Sequence, residues 1–250
     1  MTDEEVNIRE LLATGEDLDK VFLLAEKDGK YFNKLIESLD DDLWIVAKNA
    51  LVVISKFIEN REDLHHPLVT KLMGIIRKSE ATLLTQEVAK TFGKIAKQNP
   101  KLIRRVIPLL FANYNVGNWK IKINMVYVIE EIARNNPSLL TTIMRDIKEM
   151  LLSTDSNDKL VALNFVAALG EHNFVYVNPY LPKLLTMLYE KDEVVRASAI
   201  ETLISLAEKN SKFRRIVLSK LEELEDPSPL VQKIVQDGIS RLAIKEQEKD

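Results

Sequence analysis

A helical segment that recurs about every 37 residues is the feature that most constrains how this chain can fold. Two sets of apolar residues, here called columns, recur in register in these segments. The first column consists of residue pairs: Phe57–Ile58, Ile95–Ala96, Ile132–Ala133, Leu169–Gly170, Leu206–Ala207 and Leu242–Ala243. The second column, three residues earlier, consists of Ile54, Phe92, Ile129, Val166, Leu203 and Ile239. A period of roughly 20–50 residues is the signature of a repeat array, in which each repeat buries its apolar face against its neighbours. The sequence therefore predicts a stack of similar helical units.

Each repeat contains the pattern of an amphipathic helix. In residues 192–210, for example, Val195, Ala199 and Leu203 fall on one helical face, whereas Glu201 falls on another. No segment alternates polar and apolar residues long enough to indicate a strand. We expect an all-α fold of about seven antiparallel helix pairs in a single domain over residues 1–250. Within it, a capping pair is expected at 1–29, six fuller repeats at 30–245 and a frayed tail at 246–250.

Polar residues at fixed places in the repeat predict where the helices begin and end. Asn118, Asp155, Asp192 and Ser228 each precede a second helix and are types that cap helix N-termini. Asparagine also follows most second helices, where it tolerates the left-handed turn that ends a helix. These asparagines are Asn60, Asn99, Asn136, Asn173 and Asn210.

Two stretches of the sixth pair resemble the HEAT repeat. Asp192-x-x-Val195-Arg196-x-x-Ala199-x-x-x-Leu203 resembles its second helix, and Leu181-Pro182-x-Leu184-Leu185-x-x-Leu188 resembles its first helix. The resemblance implies an α-solenoid, similar to armadillo folds, in which helix pairs form a right-handed superhelix and second helices line the concave side. It also implies a scaffold for protein partners, as in adaptins and nuclear transport receptors. The HEAT motif concerns packing and brings no catalytic residue with it.

Composition narrows the functional classes. The 250 residues contain no cysteine, which excludes disulfides and thiolate metal sites. The Met-Thr-Asp-Glu-Glu start has no signal-peptide pattern and no run of 18 apolar residues occurs, so we expect a cytoplasmic protein without a membrane span. The net charge of −3 hides a strong asymmetry, because residues 66–122 hold eleven basic and two acidic side chains. Such a basic segment indicates an acidic partner.

A lysine stripe is predicted within this basic segment. On the helix at 80–98, three lysines are spaced i, i+4 and i+7 on the face opposite the core, and only Glu87 is placed to neutralise any of them. With the cations of the next two helices, the candidate partner-binding set is Lys90, Lys94, Lys97, Lys101, Arg104, Arg105 and Lys120. Two other interpretations stay open. The stripe is merely solvated, or it binds the acidic first 65 residues of another copy of the chain.

The second helices also offer a varied ridge on a uniform frame. Its core columns stay apolar, whereas one surface column changes from repeat to repeat and includes Tyr127, Asn164 and Glu201. We expect a protein or peptide partner to bind along this ridge. The recurring charged pairs Asp155/Lys159 and Asp192/Arg196 are interpreted as a structural ladder between repeats, because exposed charges at these positions are typical of helix caps and surface pairs.

Catalysis is not expected, and no cofactor or metal is predicted. HEAT-like hydroxylases use His-Glu dipeptides, but His65, His66 and His172 form none. HEAT-like DNA glycosylases use tryptophans and an aspartate in a basic groove; here Trp44 and Trp119 are present, but residues 66–122 contain no aspartate. Binding of nucleic acid or another phosphate-rich ligand through residues 66–122, with or without glycosylase chemistry, is the second candidate function. The aromatic stretch at 111–119 either folds onto the core or supplies an exposed interface anchor. The oligomeric state cannot be predicted.

Overall fold

The computed structural model describes residues 7–247, apart from the side chains of His172, Glu246 and Gln247. Within this range it contains fourteen α-helices and no strand, which confirms the predicted all-α fold of HEAT-like helix pairs. The chain divides into two compact units, unit 1 at residues 1–139 and unit 2 at residues 140–250.

Unit 1 contains four helix pairs. Its helices are α1 (Ile8–Thr14), α2 (Leu18–Lys27), α3 (Gly29–Glu37), α4 (Trp44–Ile54), α5 (His65–Lys78), α6 (Thr82–Gln98), α7 (Pro100–Val116) and α8 (Trp119–Asn135). The second helices α4, α6 and α8 pack side by side in that order, and α7 packs on α6 and α8.

Unit 2 contains three helix pairs. Its helices are α9 (Met144–Leu151), α10 (Ser156–His172), α11 (Leu181–Thr186), α12 (Glu193–Lys209), α13 (Ser211–Glu222) and α14 (Pro229–Gln247). The second helices α10, α12 and α14 again pack side by side. The first helices of the fifth and sixth pairs are partly 3-10 rather than α, because 3-10 turns occupy Pro137–Ile143, Phe174–Tyr180 and Met187–Tyr189.

The predicted burial register is observed in both units. Ile54, Phe92, Ile129, Val166 and Leu203 are all fully buried, as are most members of the other column. The exception is the last helix, where Ala243 is exposed and Ile239 is half-buried. There α14 presents Lys233, Gln236 and Ser240 to solvent, although the corresponding residues 36 positions earlier, Ala197, Ile200 and Ile204, are buried. This outer face of α14 is polar because no further helix packs on it in unit 2.

Three of the four predicted N-caps are confirmed. The side chains of Asn118, Asp155 and Asp192 accept hydrogen bonds from backbone N–H groups at the start of their helices, at 3.0, 2.8 and 2.9 Å. The prediction for Ser228 is wrong, because its buried hydroxyl makes no hydrogen bond among the described residues. The Asp226 side chain, two residues earlier, instead accepts a hydrogen bond from the Ser228 N–H at 2.8 Å.

The prediction that the asparagines after the second helices adopt a left-handed backbone conformation is also wrong. Asn99, Asn136, Asn173 and Asn210 have φ between −128° and −154°, and the positive-φ residues of the described chain are Gly15 and Asp17. Three of them instead cap the element that follows: Asn99, Asn173 and Asn210 accept from the N–H groups of Leu102, Val175 and Phe213. With so short a connection, asparagine is more useful as the start of the next helix than as a left-handed stop.

Helix α4 ends at Ile54, six residues before Asn60, where the sequence pattern predicts its end. The Lys94 ammonium donates to the Ser55 carbonyl at 3.4 Å and to its hydroxyl at 3.0 Å, while that hydroxyl donates to the Val52 carbonyl at 2.9 Å. The chain then continues in tight turns closed by i to i+3 bonds, such as Phe57 N–H to the Ile54 carbonyl at 2.9 Å. A cation from the neighbouring repeat therefore caps the end of α4.

Candidate functional site

The charged residues of the predicted ladder connect neighbouring repeats of unit 2. The Arg196 guanidinium forms a bidentate pair with Asp226 at 2.7 and 2.9 Å and also donates to the Glu190 carbonyl at 2.7 Å. The Lys159 ammonium binds the Glu190 carboxylate at 2.9 Å. Asp155 and Asp192 cap their own helices. Lys159 and Arg196 therefore do not pair with them and instead bind acids in the loop of the next repeat. Hydrogen bonds from Lys159 and Arg196 lower the pKa values of Glu190 and Asp226.

Three of the seven residues in the candidate partner-binding set bind other residues of the chain. Lys90 pairs with Glu87 at 3.3 Å, as the sequence predicts, and Lys94 caps α4. Lys120 lies at the opposite end of α7 from Lys101, binds Glu80 at 2.5 Å and covers the ring of Trp119. The stripe is therefore not one continuous charged surface.

The other four residues of the candidate partner-binding set form a separate cluster, which we call the α6–α7 basic cluster: Lys97, Lys101, Arg104 and Arg105. All four side chains are exposed, and among residues 7–247 none of them makes an ion pair or a side-chain hydrogen bond. They follow one another across the short connection at Asn99, with no acidic residue in the first turn of α7. Lys101 lies in the first turn of α7, where a cation opposes the helix dipole, whereas Lys97 lies in the last turn of α6, where a cation is favourable.

The ridge residues lie at different kinds of site. In unit 1, Tyr127 joins Lys90 in a shallow groove of about 200 Å³ between α6 and α8, lined also by Gln86, Ala89, Glu130, Glu131 and Arg134. In unit 2, Asn164 is exposed on α10, and Glu201 on α12 pairs with Arg241 of α14 at 3.2 Å. The structure thus brings one stripe residue and one ridge residue together.

The aromatic stretch at 111–119 separates into buried and exposed rings. Phe111 and Tyr114 are buried and stack with their ring centroids 5.7 Å apart. Trp119, the first residue of α8, is 67% exposed, and Val116 before it is 86% exposed. Both interpretations of the stretch therefore apply, each to different residues. The sequence could not distinguish them, because all three rings lie beside turn residues.

The second tryptophan borders an acidic cleft of unit 1. This cleft has a volume of about 700 Å³, lies between α4, α5 and α6, and is lined by Trp44, three consecutive aspartates (Asp40, Asp41 and Asp42) and the cations Lys71 and Lys78. Asp40 pairs with Lys71, and Asp41 pairs with Arg9 at 2.6 Å, a hydrogen bond that lowers the Asp41 pKa. Trp119 does not line this cleft. The tryptophan beside the aspartates therefore lies where carboxylates, not cations, predominate.

The histidines lie at the start of α5 and the end of α10. His65 is buried, with its Nε2 atom 2.8 Å from the Ile58 carbonyl oxygen, and His66 is exposed. The His172 side chain lies outside the described part of the chain. No group of three His, Asp or Glu side chains within that part is arranged to hold a metal ion.

None of the described helices combines the length and apolar character that a membrane crossing requires. A family model for a HEAT-type repeat, described as the repeat of uncharacterized protein PH0542, matches residues 40–84. This match confirms the resemblance to HEAT repeats that the sequence indicates. No curated protein sequence matches the chain.

Solved structures with similar folds are HEAT-like or armadillo repeat proteins. The archaeal HEAT-like repeats protein from Thermococcus onnurineus NA1 is 14% identical, with 95% of this chain and 96% of that chain covered and a TM-score of 0.49. A designed armadillo repeat protein in complex with the peptide (KR)4 is 16% identical, with 84% and 98% covered and a TM-score of 0.46. These similarities concern the fold, which is that of HEAT-like helix pairs.

Proposed function

We propose that this HEAT-like repeat array is a non-enzymatic scaffold that binds an acidic protein or peptide partner. The observation that carries the proposal is the α6–α7 basic cluster, whose four exposed cations have no acidic partner among the described residues. Within a chain of net charge −3, many other cations are paired with carboxylates. Four exposed cations that follow one another without a compensating carboxylate attract an acidic ligand.

The groove at Lys90 and Tyr127 is a second contact surface within the same proposal, because it lies on the face of the second helices. A tyrosine between charged side chains suits a peptide contact, since its ring is apolar and its hydroxyl is polar. The cytoplasmic location remains a prediction from the sequence. Binding of nucleic acid is the alternative, since phosphates would also satisfy the basic cluster.

Charge reversal tests the proposal. We expect Lys97→Glu, Lys101→Glu, Arg104→Glu and Arg105→Glu together to abolish capture of the native partners from cell extract. The thermal melt should change little, because all four side chains are exposed and a glutamate at the start of α7 offsets one at the end of α6. The matched control reverses four exposed lysines of unit 2, Lys148, Lys191, Lys212 and Lys233. Equal capture by both variants would contradict the proposal.

Salt dependence separates protein from nucleic acid. A nucleic-acid ligand should co-purify with the wild-type chain, and its affinity should fall by about one logarithmic unit per phosphate contact for each tenfold rise in salt. A protein ligand with apolar anchors should depend on salt less steeply. A steep slope together with co-purified nucleic acid would favour the alternative.

A further inference from the structure

Helix α7 has one long face that no other element of the described chain covers. Residues spaced i, i+4, i+8, i+11 and i+15 along it are all exposed, together with Arg104 beside them. This α7 face consists of Lys101, Arg104, Arg105, Leu109, Ala112 and Val116. At about 1.5 Å per residue, it extends for roughly 22 Å.

The α7 face is divided into a cationic half and an apolar half. Its three cations lie in the N-terminal half, where they continue the α6–α7 basic cluster. Its C-terminal half holds Leu109, which is 55% exposed, and Val116, and the exposed ring of Trp119 follows directly on α8. Single exposed apolar residues are common on proteins, but Leu109, Val116 and Trp119 follow one another along the chain with no charged residue between them. Tryptophan and arginine are also the residues that most often dominate binding energies.

The apolar half contains no charged residue of its own, since none occurs between Arg105 and Lys120, and the Lys122 ammonium lies over the buried Tyr114 ring, 5.1 Å from its centroid. Lys120, the nearest cation to Trp119, is held by Glu80 at 2.5 Å and lies over the indole ring, 5.7 Å from its centroid. The neighbouring exposed side chains Asn115 and Asn118 are uncharged amides. The exposed cations of the face therefore lie at its N-terminal end, and the other end offers apolar contact.

We propose that the α7 face docks a segment of another protein that carries carboxylates at one end and aliphatic or aromatic side chains at the other. The inference rests on the proposed function and deepens it, because it adds apolar anchors and a direction to the acidic partner. The occupant follows from charge complementarity: carboxylates face the three cations, and apolar side chains cover Leu109, Val116 and Trp119. An anionic membrane surface fits less well, because it would require cations around the apolar patch rather than at one end.

The probe is a synthetic fluorescent peptide of about 16 residues, long enough as a helix to span the face. Glutamates occupy one half and leucines the other, and a second peptide of the same composition alternates them. By fluorescence anisotropy we expect the block peptide to bind about tenfold or more tightly than the alternating one. The triple variant Leu109→Ser, Val116→Ser and Trp119→Ser should lose about tenfold in affinity for the block peptide and keep its salt dependence.

Unit 2 offers a matched control of similar chemistry and exposure. Leu152→Ser, Val194→Ser and Tyr189→Ser remove an exposed leucine, valine and aromatic ring, and should leave peptide affinity unchanged. All six substituted residues are exposed, so far-UV circular dichroism should show intact helices in both variants. Equal binding of the block and alternating peptides, or full affinity in the α7 triple variant, would overturn the inference.

Three further results would also overturn it: absence of block-peptide binding at about 1 mM, binding to anionic phosphatidylserine vesicles that the α7 triple variant loses, or self-association that this variant abolishes. Failure of the inference is distinguishable from failure of the proposed function. If charge reversal removes partner capture while the α7 triple variant keeps it, the acidic partner stands and only the apolar anchors are rejected. If neither variant affects capture, both proposals fail.

Discussion

Asn124 in unit 1 and Arg196 in unit 2 both connect a second helix to a neighbouring repeat, but with different chemistry. The Asn124 amide is buried and donates to the carbonyls of Ile76 and Ser79, at 3.0 and 3.1 Å, where the first helix of the preceding repeat ends. Asn49 occupies the same position of an earlier repeat and donates to the Leu12 carbonyl at 2.7 Å. Unit 1 thus uses neutral amides to satisfy helix C-termini.

Unit 2 has Val161 and Ser198 at that repeat position and depends on charge instead. The side chains of Arg196 and Asp226 are only 12% and 5% exposed, whereas ion pairs of unit 1 such as Lys56–Asp19 have a strongly exposed member. Solvent screens exposed pairs, so little stability is expected from those of unit 1. The same pattern of buried apolar residues is thus compatible with two kinds of polar contact between repeats. Only the stability contributed by the charged contact depends on pH.

Loss of core packing should give the largest effect and should not distinguish the units. Leu206→Ala in unit 2 and Ile132→Ala in unit 1 remove fully buried side chains of the same column. Each should lower the free energy of unfolding by about 2–5 kcal/mol in urea melts. Glu201→Ala, on the exposed face of α12, is the control and should change it by less than about 0.5 kcal/mol. A mild Ile132→Ala beside a severe Leu206→Ala would show that the units do not share one core pattern.

Loss of the amide connection should come next. Asn124→Leu leaves two backbone carbonyls without their donor, and we expect a loss of about 3 kcal/mol that is the same at pH 7 and pH 4. Both tryptophans lie in unit 1, so tryptophan fluorescence follows the affected unit. The exposed Asn164→Leu should change stability by less than about 0.5 kcal/mol. A loss that varies strongly with pH would argue against a neutral connection.

Loss of the charged connection should be smaller and pH-dependent. Arg196→Gln should cost about 2 kcal/mol at pH 7, measured by urea melts followed by circular dichroism. Because Arg196 lowers the pKa of folded Asp226, the pair stabilises unit 2 above the ordinary carboxyl pKa of about 4. That contribution is lost as the pH falls through the lower pKa of the folded state.

The cost of Arg196→Gln should therefore shrink below about pH 4, leaving only the part due to its bonds with the backbone carbonyls. Lys191→Gln, which removes an exposed charge nearby, should change stability little at any pH. A constant cost of Arg196→Gln across this range would break the comparison between the units.

Much of the fold could be predicted because the repeat period places the same residue type in the same environment several times. Leu203 and all its counterparts except Ile239 are buried as expected, and Asp192 caps its helix as expected. The asparagines were misassigned, because Asn210 fits either the end of one helix or the start of the next. Which hydrogen bond forms depends on the path of the chain after it. Likewise, the acids that bind Lys159 and Arg196 lie about 30 residues away.

The sequence by itself determined the apolar columns, the helix-pair repeat and the surplus of positive charge at 66–122, because each depends on residue type and spacing along one helix. The tertiary structure decided which cations of that surplus remain unneutralised. Lys94 is bound by a serine of the preceding repeat and Lys120 by Glu80, whereas Lys97, Lys101, Arg104 and Arg105 make no ion pair among residues 7–247. The division of α7 into a cationic and an apolar half likewise acquires its meaning only when packing leaves that face uncovered. Neutralisation and burial are contacts between elements distant in sequence, and a one-dimensional pattern does not specify them.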